Sequence, residues 1–215
     1  MNEMFAPKLP TLIYMCGHRG AGKTYSLIQL FVNEQIYYQQ FDKIFVFSPS
    51  LGDVNDNNLF DLLGLPKRQL FDKFDEKILD KIIKAKRKKP EEQWAIIFDD
   101  VIGDTHFKNS ELSRTICLNG RHMNISMFVT SQRSTLGSTS LRTNADACFF
   151  WRPRSGNEID AIYRDSCING ISKKKFTKLL MDNTKDKHDF LMINYTNNTC
   201  WNNFTKVETP TYDEF

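Results

Sequence analysis

The sequence predicts an α/β fold in three layers: a mostly parallel sheet with helices on both faces, followed by a C-terminal β-hairpin. Two observations predict it. Short apolar runs recur along the 215-residue chain, and helical periodicity falls between most of them, as in a parallel sheet whose crossovers are helices. A glycine-rich turn, Gly17-His18-Arg19-Gly20-Ala21-Gly22-Lys23-Thr24, joins the first apolar run to the first helical stretch.

Taken in order, the first strand is Thr11-Leu12-Ile13-Tyr14-Met15-Cys16, an apolar run of the kind buried on both faces. Leu27, Leu30 and Phe31 then keep i, i+3, i+4 spacing, so a helix follows the glycine turn. Further strands are expected at 43–48, 94–99, 125–131, 146–151 and 189–195. The longest connection, 49–93, carries a polar turn at 53–58 and a helix over 75–89. In that helix Ile78, Leu79, Ile82 and Ile83 form one face and Lys77, Lys81, Lys84 and Lys88 the other. Asn197-Asn198 separates two apolar stretches and tolerates the positive φ of a hairpin turn. A single domain over 1–206 is expected, with a loosely ordered, Pro- and acid-containing tail over 207–215.

Composition bounds the function classes. Seventeen Phe, seven Tyr and three Trp supply core material, and a net charge of +3 permits a nucleic-acid partner without requiring one. Five scattered cysteines with no C-x-x-C pair read as reduced thiols, not as a disulfide framework or zinc site. Neither a signal peptide nor a run of ~18 apolar residues is present, so a soluble intracellular protein with no membrane partner is expected.

The glycine turn carries the chemistry. It matches G-x-x-x-x-G-K-[ST], the phosphate-binding P-loop, and its strand–loop–helix setting is the one that motif requires. Glycines let backbone N–H groups converge on a triphosphate, and the helix start adds its dipole. The nucleotide is therefore expected on Gly17, His18, Arg19, Gly20, Ala21, Gly22, Lys23, Thr24 and Tyr25. Lys23 would neutralise the β- and γ-phosphates and Thr24 would hold Mg²⁺. Trp94-Ala95-Ile96-Ile97-Phe98 ends in Asp99 and Asp100, a Walker B pattern. Asp99 would complete the Mg²⁺ site, and Asp100 would orient and deprotonate the attacking water. The strand 125–131 ends at Gln132, placed to act as a γ-phosphate sensor. Together these residues predict a P-loop NTPase of the additional-strand, RecA-like type, using ATP and Mg²⁺.

Gly120-Arg121-His122-Met123-Asn124-Ile125-Ser126, followed by Thr130-Ser131-Gln132-Arg133-Ser134, resembles the FtsK–HerA superfamily of DNA-pumping ATPases. The similarity is greatest to its poxvirus-type branch, the genome-packaging ATPases of large DNA viruses, and runs from about Leu12 to Trp151. It implies a motor that threads double-stranded DNA into a preformed capsid. It also implies a homo-oligomeric ring, a pentamer or hexamer, a capsid or vertex protein as partner, and residence in host cytoplasm, a viral factory or the virion. Within this pattern Arg121 stands where a neighbouring subunit's arginine finger stands. Arg114 and Arg142 are reserves, and Arg19 is an alternative acting in cis. The second acid departs from the pattern, since the superfamily often has Glu where this chain has Asp100. DNA would track either the run Lys84-Ala85-Lys86-Arg87-Lys88-Lys89 or Lys173-Lys174-Lys175. Two other readings stay open: a small-molecule kinase, and a nucleotide-gated DNA-binding or assembly factor without turnover.

Overall fold

Leu12–Cys16 is buried at every position, and it lies within a nine-stranded sheet. The structure, a computed structural model, describes residues 5–52, 59–132, 139–166 and 170–209. The strands are β1 (Leu12–Cys16), β2 (Lys43–Phe47), β3 (Leu70–Phe71), β4 (Trp94–Phe98), β5 (Ile125–Ser131), β6 (Ala147–Trp151), β7 (Phe190–Asn194), β8 (Thr199–Asn202) and β9 (Thr205–Val207). The helices are α1 (Lys23–Val32), α2 (Glu76–Arg87), α3 (Thr105–Asn109), α4 (Glu111–Asn119), α5 (Thr139–Thr143), α6 (Gly156–Ser166) and α7 (Lys173–Asp182).

In space the strands run β3-β2-β4-β5-β1-β6-β7-β8-β9. The first six are parallel, and β7, β8 and β9 continue antiparallel. Consequently β5 lies between the P-loop strand β1 and the acidic strand β4, the additional-strand order. Alternate residues of each central strand enter opposite cores. Leu12, Tyr14 and Cys16 of β1 pack in one with α2, α4, α6 and α7, through Leu79, Ile116, Ile162 and Phe176. Ile13 and Met15 pack in the other against Leu27, Ile28, Leu30 and Phe31 of α1. Helices therefore cover both faces, as expected.

All six expected strands and the α2 helix are present, β5 with the bounds expected and the others shortened by a residue or two at their ends. The Asn197-Asn198 hairpin forms between β7 and β8, with Asn198 at φ 53°. Two further strands, β3 and β9, add to the sheet edges. β9 carries order past residue 206 to Val207, and the Cys200 backbone N–H donates to Thr209 Oγ1 at 3.2 Å. The start of the expected loose tail is thus held to the sheet. Residues 210–215, the polar turn at 53–58, and Arg133 and Ser134 lie outside the described residues. Cys16, Cys117, Cys148 and Cys200 are free thiols.

Candidate functional site

Parallel strands end on one edge, and the register decides which residues meet there. Phe47 pairs with Phe98 and Phe98 with Val129, so the next residues, Ser48, Asp99 and Thr130, stand side by side as the strands end. Cys16 pairs with Ser131, which sets the P-loop beside Gln132.

The P-loop is shaped as a cradle. Gly20 and Gly22 have φ 75° and 101°, backbone that side chains rarely adopt. A Cβ at Gly17 would sit 2.7 Å from Trp151 Cβ, so β6 presses directly on the loop. No side chain caps α1 and its first turn holds no acid, which leaves the helix start open to an anion. Lys23 is buried and folds back, its Nζ donating to the Gly17 carbonyl at 2.7 Å and the His18 carbonyl at 3.1 Å. Burial lowers its pKa, opposed by the carboxylates of Asp100 and then Asp99. Tyr25 and Arg19 are exposed at the loop's outer side.

Asp99 is buried, with three hydroxyls on it. Ser48 Oγ donates to Oδ2 at 2.8 Å, while Thr130 Oγ1 and Thr24 Oγ1 donate to Oδ1 at 2.8 and 3.2 Å. Burial still pushes its pKa above the ordinary carboxylate value despite those donors, with Asp100 adding to the rise. A buried carboxylate beside the P-loop threonine, carboxylate and hydroxyl oxygen together, is a donor set that suits a hard divalent cation. Asp100 is exposed at φ 54° and turns its carboxylate toward β5, where Gln132 Nε2 donates to Oδ2. Its backbone N–H donates to Thr130 Oγ1 at 3.0 Å.

Lys23, Thr24, Asp99, Asp100 and Gln132 thus meet at one edge of the sheet. Arg121 does not join them. It precedes β5, at the opposite end of the strands from its own P-loop, and its guanidinium pairs with the buried Asp146. Asp146 Oδ2 in turn accepts from the Leu12 N–H at 2.8 Å and the Thr11 hydroxyl at 3.1 Å. Arg114 is exposed on α4, whereas Arg142 is only 9% exposed, which corrects its assignment as a reserve finger: a buried side chain cannot reach across to a neighbour.

The basic run of α2 also needs correcting. Lys86 is 2% exposed and donates to the Lys89 and Pro90 carbonyls at 2.7 and 2.9 Å, closing the helix C-terminus. Lys84 pairs with Asp80 at 2.6 Å and Lys89 with Glu92 at 3.1 Å. On α7, Lys173 pairs with Asp160, and Lys174 and Lys178 are exposed. Three contributors escaped the sequence reading as site residues: Ser48, Thr130 and His188. The last approaches the P-loop from 167 residues away, its Nδ1 lying 3.2 Å from the Ala21 carbonyl oxygen. No helix among the described residues is long and apolar enough to cross a membrane.

A family model described as "Poxvirus A32 protein" matches residues 7–209. Protein 075L of Invertebrate iridescent virus 6 is 30% identical over 113 residues, covering 50% of this chain and 44% of that relative. The chain therefore aligns with less than half the length of the curated relative it matches. The genome packaging NTPase B204 of Sulfolobus turreted icosahedral virus 2, solved with ATP-gammaS, superposes with TM-score 0.63 at 17% identity, over 91% of this chain and 98% of that one. The EssC ATPases 2 and 3 of Geobacillus thermodenitrificans superpose with TM-score 0.58 at 15% identity, over 96% of this chain and 41% of that one.

Proposed function

The chain belongs to the poxvirus A32 protein family, and from that premise we propose that it is an ATP-hydrolysing motor that moves double-stranded DNA, packaging a viral genome into a preformed capsid. The observation that carries this reading is the edge where Thr24, Asp99, Asp100 and Gln132 converge on an uncapped helix start. A site built only to hold phosphate needs the loop and the lysine. It does not need a second, exposed carboxylate held by an amide from the next strand.

In this reading the P-loop amides and the α1 N-terminus bind the triphosphate, and Lys23 leaves the Gly17 and His18 carbonyls to neutralise the β- and γ-oxygens. Thr24 and Asp99 would hold Mg²⁺, which when bound neutralises charge developing between the β- and γ-phosphates. Asp100 accepts the proton of the attacking water, and Gln132 reports the γ-phosphate by exchanging its bond to Asp100 for one to phosphate. Arg121 sits too far along the sheet to serve its own site, and so it serves the next subunit's. There it stabilises charge on the transferring phosphoryl group in a head-to-tail ring. Exposed lysines of α2 and α7, without Lys86, track DNA phosphates and require no base readout.

The test is ATPase rate with and without linear duplex DNA across a salt series. DNA should stimulate turnover with little sequence preference and less so as salt rises, and Asp100→Asn should keep nucleotide binding while turnover falls at least about a hundredfold. Stimulation by a nucleoside or sugar but not by DNA would favour a kinase. Binding without turnover in the parent chain would favour an assembly factor.

A further inference from the structure

The Thr130 hydroxyl is the one group among the described residues whose hydrogen bonds reach both acidic residues of the site. It is fully buried, donates to Asp99 Oδ1 at 2.8 Å and accepts from the Asp100 backbone N–H at 3.0 Å. A threonine hydroxyl has one proton to give, and here it goes to Asp99. Its β-branched side chain has few rotamers, so the oxygen is held where the strand puts it.

We propose that Thr130 is a positioning residue that sets the step between Asp99 and Asp100, and so places the Asp100 carboxylate for water activation. The inference rests on the reading that this edge hydrolyses ATP. Asp100 has φ 54°, a left-handed conformation that most side chains avoid and Asp tolerates better than most. An acceptor for its N–H is what holds the chain in that turn, and Thr130 supplies it. The turn brings the short carboxylate back to Gln132, two residues beyond Thr130 and just past the end of β5. Thr130 of β5 therefore holds the second acid at its backbone, while Gln132, just past the strand, holds its carboxylate only until nucleotide draws the amide to phosphate.

The test compares Thr130→Val, which keeps shape and removes the hydroxyl, with Thr130→Ser, which keeps the hydroxyl, in the full chain. Thermal unfolding confirms that each is folded. Thr130→Val should lower kcat about tenfold or more, the scale of one lost hydrogen bond to a charged site, with KM for ATP within about twofold. Thr130→Ser should retain kcat within about threefold. In an Asp100→Asn background, Thr130→Val should add no further loss of kcat, since the carboxylate it positions is already gone. Parental kcat in folded Thr130→Val, or equal losses in the valine and serine variants, overturns the inference. So does a rise in KM alone. If Thr130→Val fails to fold, Thr130→Cys carries the same expectations and the same refutations. Asp100→Asn turning over at the parental rate would refute Asp100 as the water-activating residue, whereas a parent chain that binds ATP without hydrolysing it would refute the hydrolytic reading itself.

Discussion

Lys86 separates two explanations of the same six residues. As a DNA track, the run from Lys84 to Lys89 should lose affinity roughly evenly as each cation is removed. As a helix end, it should lose stability at Lys86 and little elsewhere. In Lys86→Met the apolar stem and its packing near Trp94 are largely kept, since Nζ lies 5.9 Å from that ring centroid in the parent. What disappears are two hydrogen bonds from a charged donor, at 2.7 and 2.9 Å. Each such bond is worth about 1.5–3 kcal/mol. Two offsets reduce the total. Both carbonyls keep a second donor, the Glu92 N–H on Lys89 at 3.2 Å and the Asn124 side-chain amide on Pro90 at 3.0 Å. Burial also lowers the Lys86 pKa, so the buried ammonium carries a desolvation cost that methionine avoids. The expected net loss is about 1–3 kcal/mol, or roughly 2–10 °C in Tm for a chain of this size.

The assay is thermal and urea unfolding of Lys86→Met beside Lys88→Met, with duplex DNA affinity measured over a salt series for both. Lys88 is exposed, so its replacement should change stability by less than about 0.5 kcal/mol. The same replacement should flatten the salt slope by about one unit for each phosphate that Lys88 neutralises. Lys86→Met should do the reverse. Unchanged stability in Lys86→Met, with DNA affinity falling as far as in Lys88→Met, would refute the assignment of this lysine to the fold.

Asp99→Asn should raise the Tm of the nucleotide-free protein at neutral pH and abolish further stabilisation by Mg²⁺ with ATP. Because burial raises the Asp99 pKa, the folded state prefers the protonated acid. That contribution to stability is complete below the ordinary carboxylate pKa and is lost as pH rises through the raised value. The difference between Asn and Asp should therefore shrink as pH falls through that window, and a pH-independent difference would contradict it. Arg121→Ala and Lys23→Ala subunits should each be inactive alone and recover partial ATPase when mixed, because some interfaces then pair an intact P-loop with an intact arginine. No recovery in mixtures shown by mass to co-assemble would move the role to Arg19.

How much of the fold and site was legible in the chain depends on the distance over which each signal acts. The six long strands and the P-loop are local patterns, and they stand where periodicity puts them. β3 has two residues and β9 has three, too few for a pattern of period two to register. Lys86 carried a readable signal that its charge concealed. It follows Leu79 by seven residues and Ile82 by four, which sets it on the buried stripe of α2. Ser48 and Thr130 could be read as the ends of strands, but not as ligands of Asp99. That relation exists only once β2, β4 and β5 are adjacent and in register. His188 at the P-loop and Asp146 at Arg121 have no local signal at all.

The Arg121–Asp146 pair changes what oligomerisation must do. Asp146 is buried and already accepts from the Thr11 hydroxyl and the Leu12 N–H, so it keeps partners if the arginine leaves. The Arg121 side chain is 65% exposed in the same pair. Breaking the pair returns an exposed guanidinium to water but leaves Asp146 Oδ1 buried without its cation, so release costs more than for a pair exposed on both sides, and the donors on Oδ2 offset part of that cost. In the ring proposed above, a γ-phosphate on a neighbouring subunit would offer a charge shielded from water when the interface closes. In the proposed ring the arginine would be held in a defined place until the interface forms, and the nucleotide would supply the energy of its capture. ATP binding should therefore tighten the ring, and hydrolysis with phosphate release should loosen it.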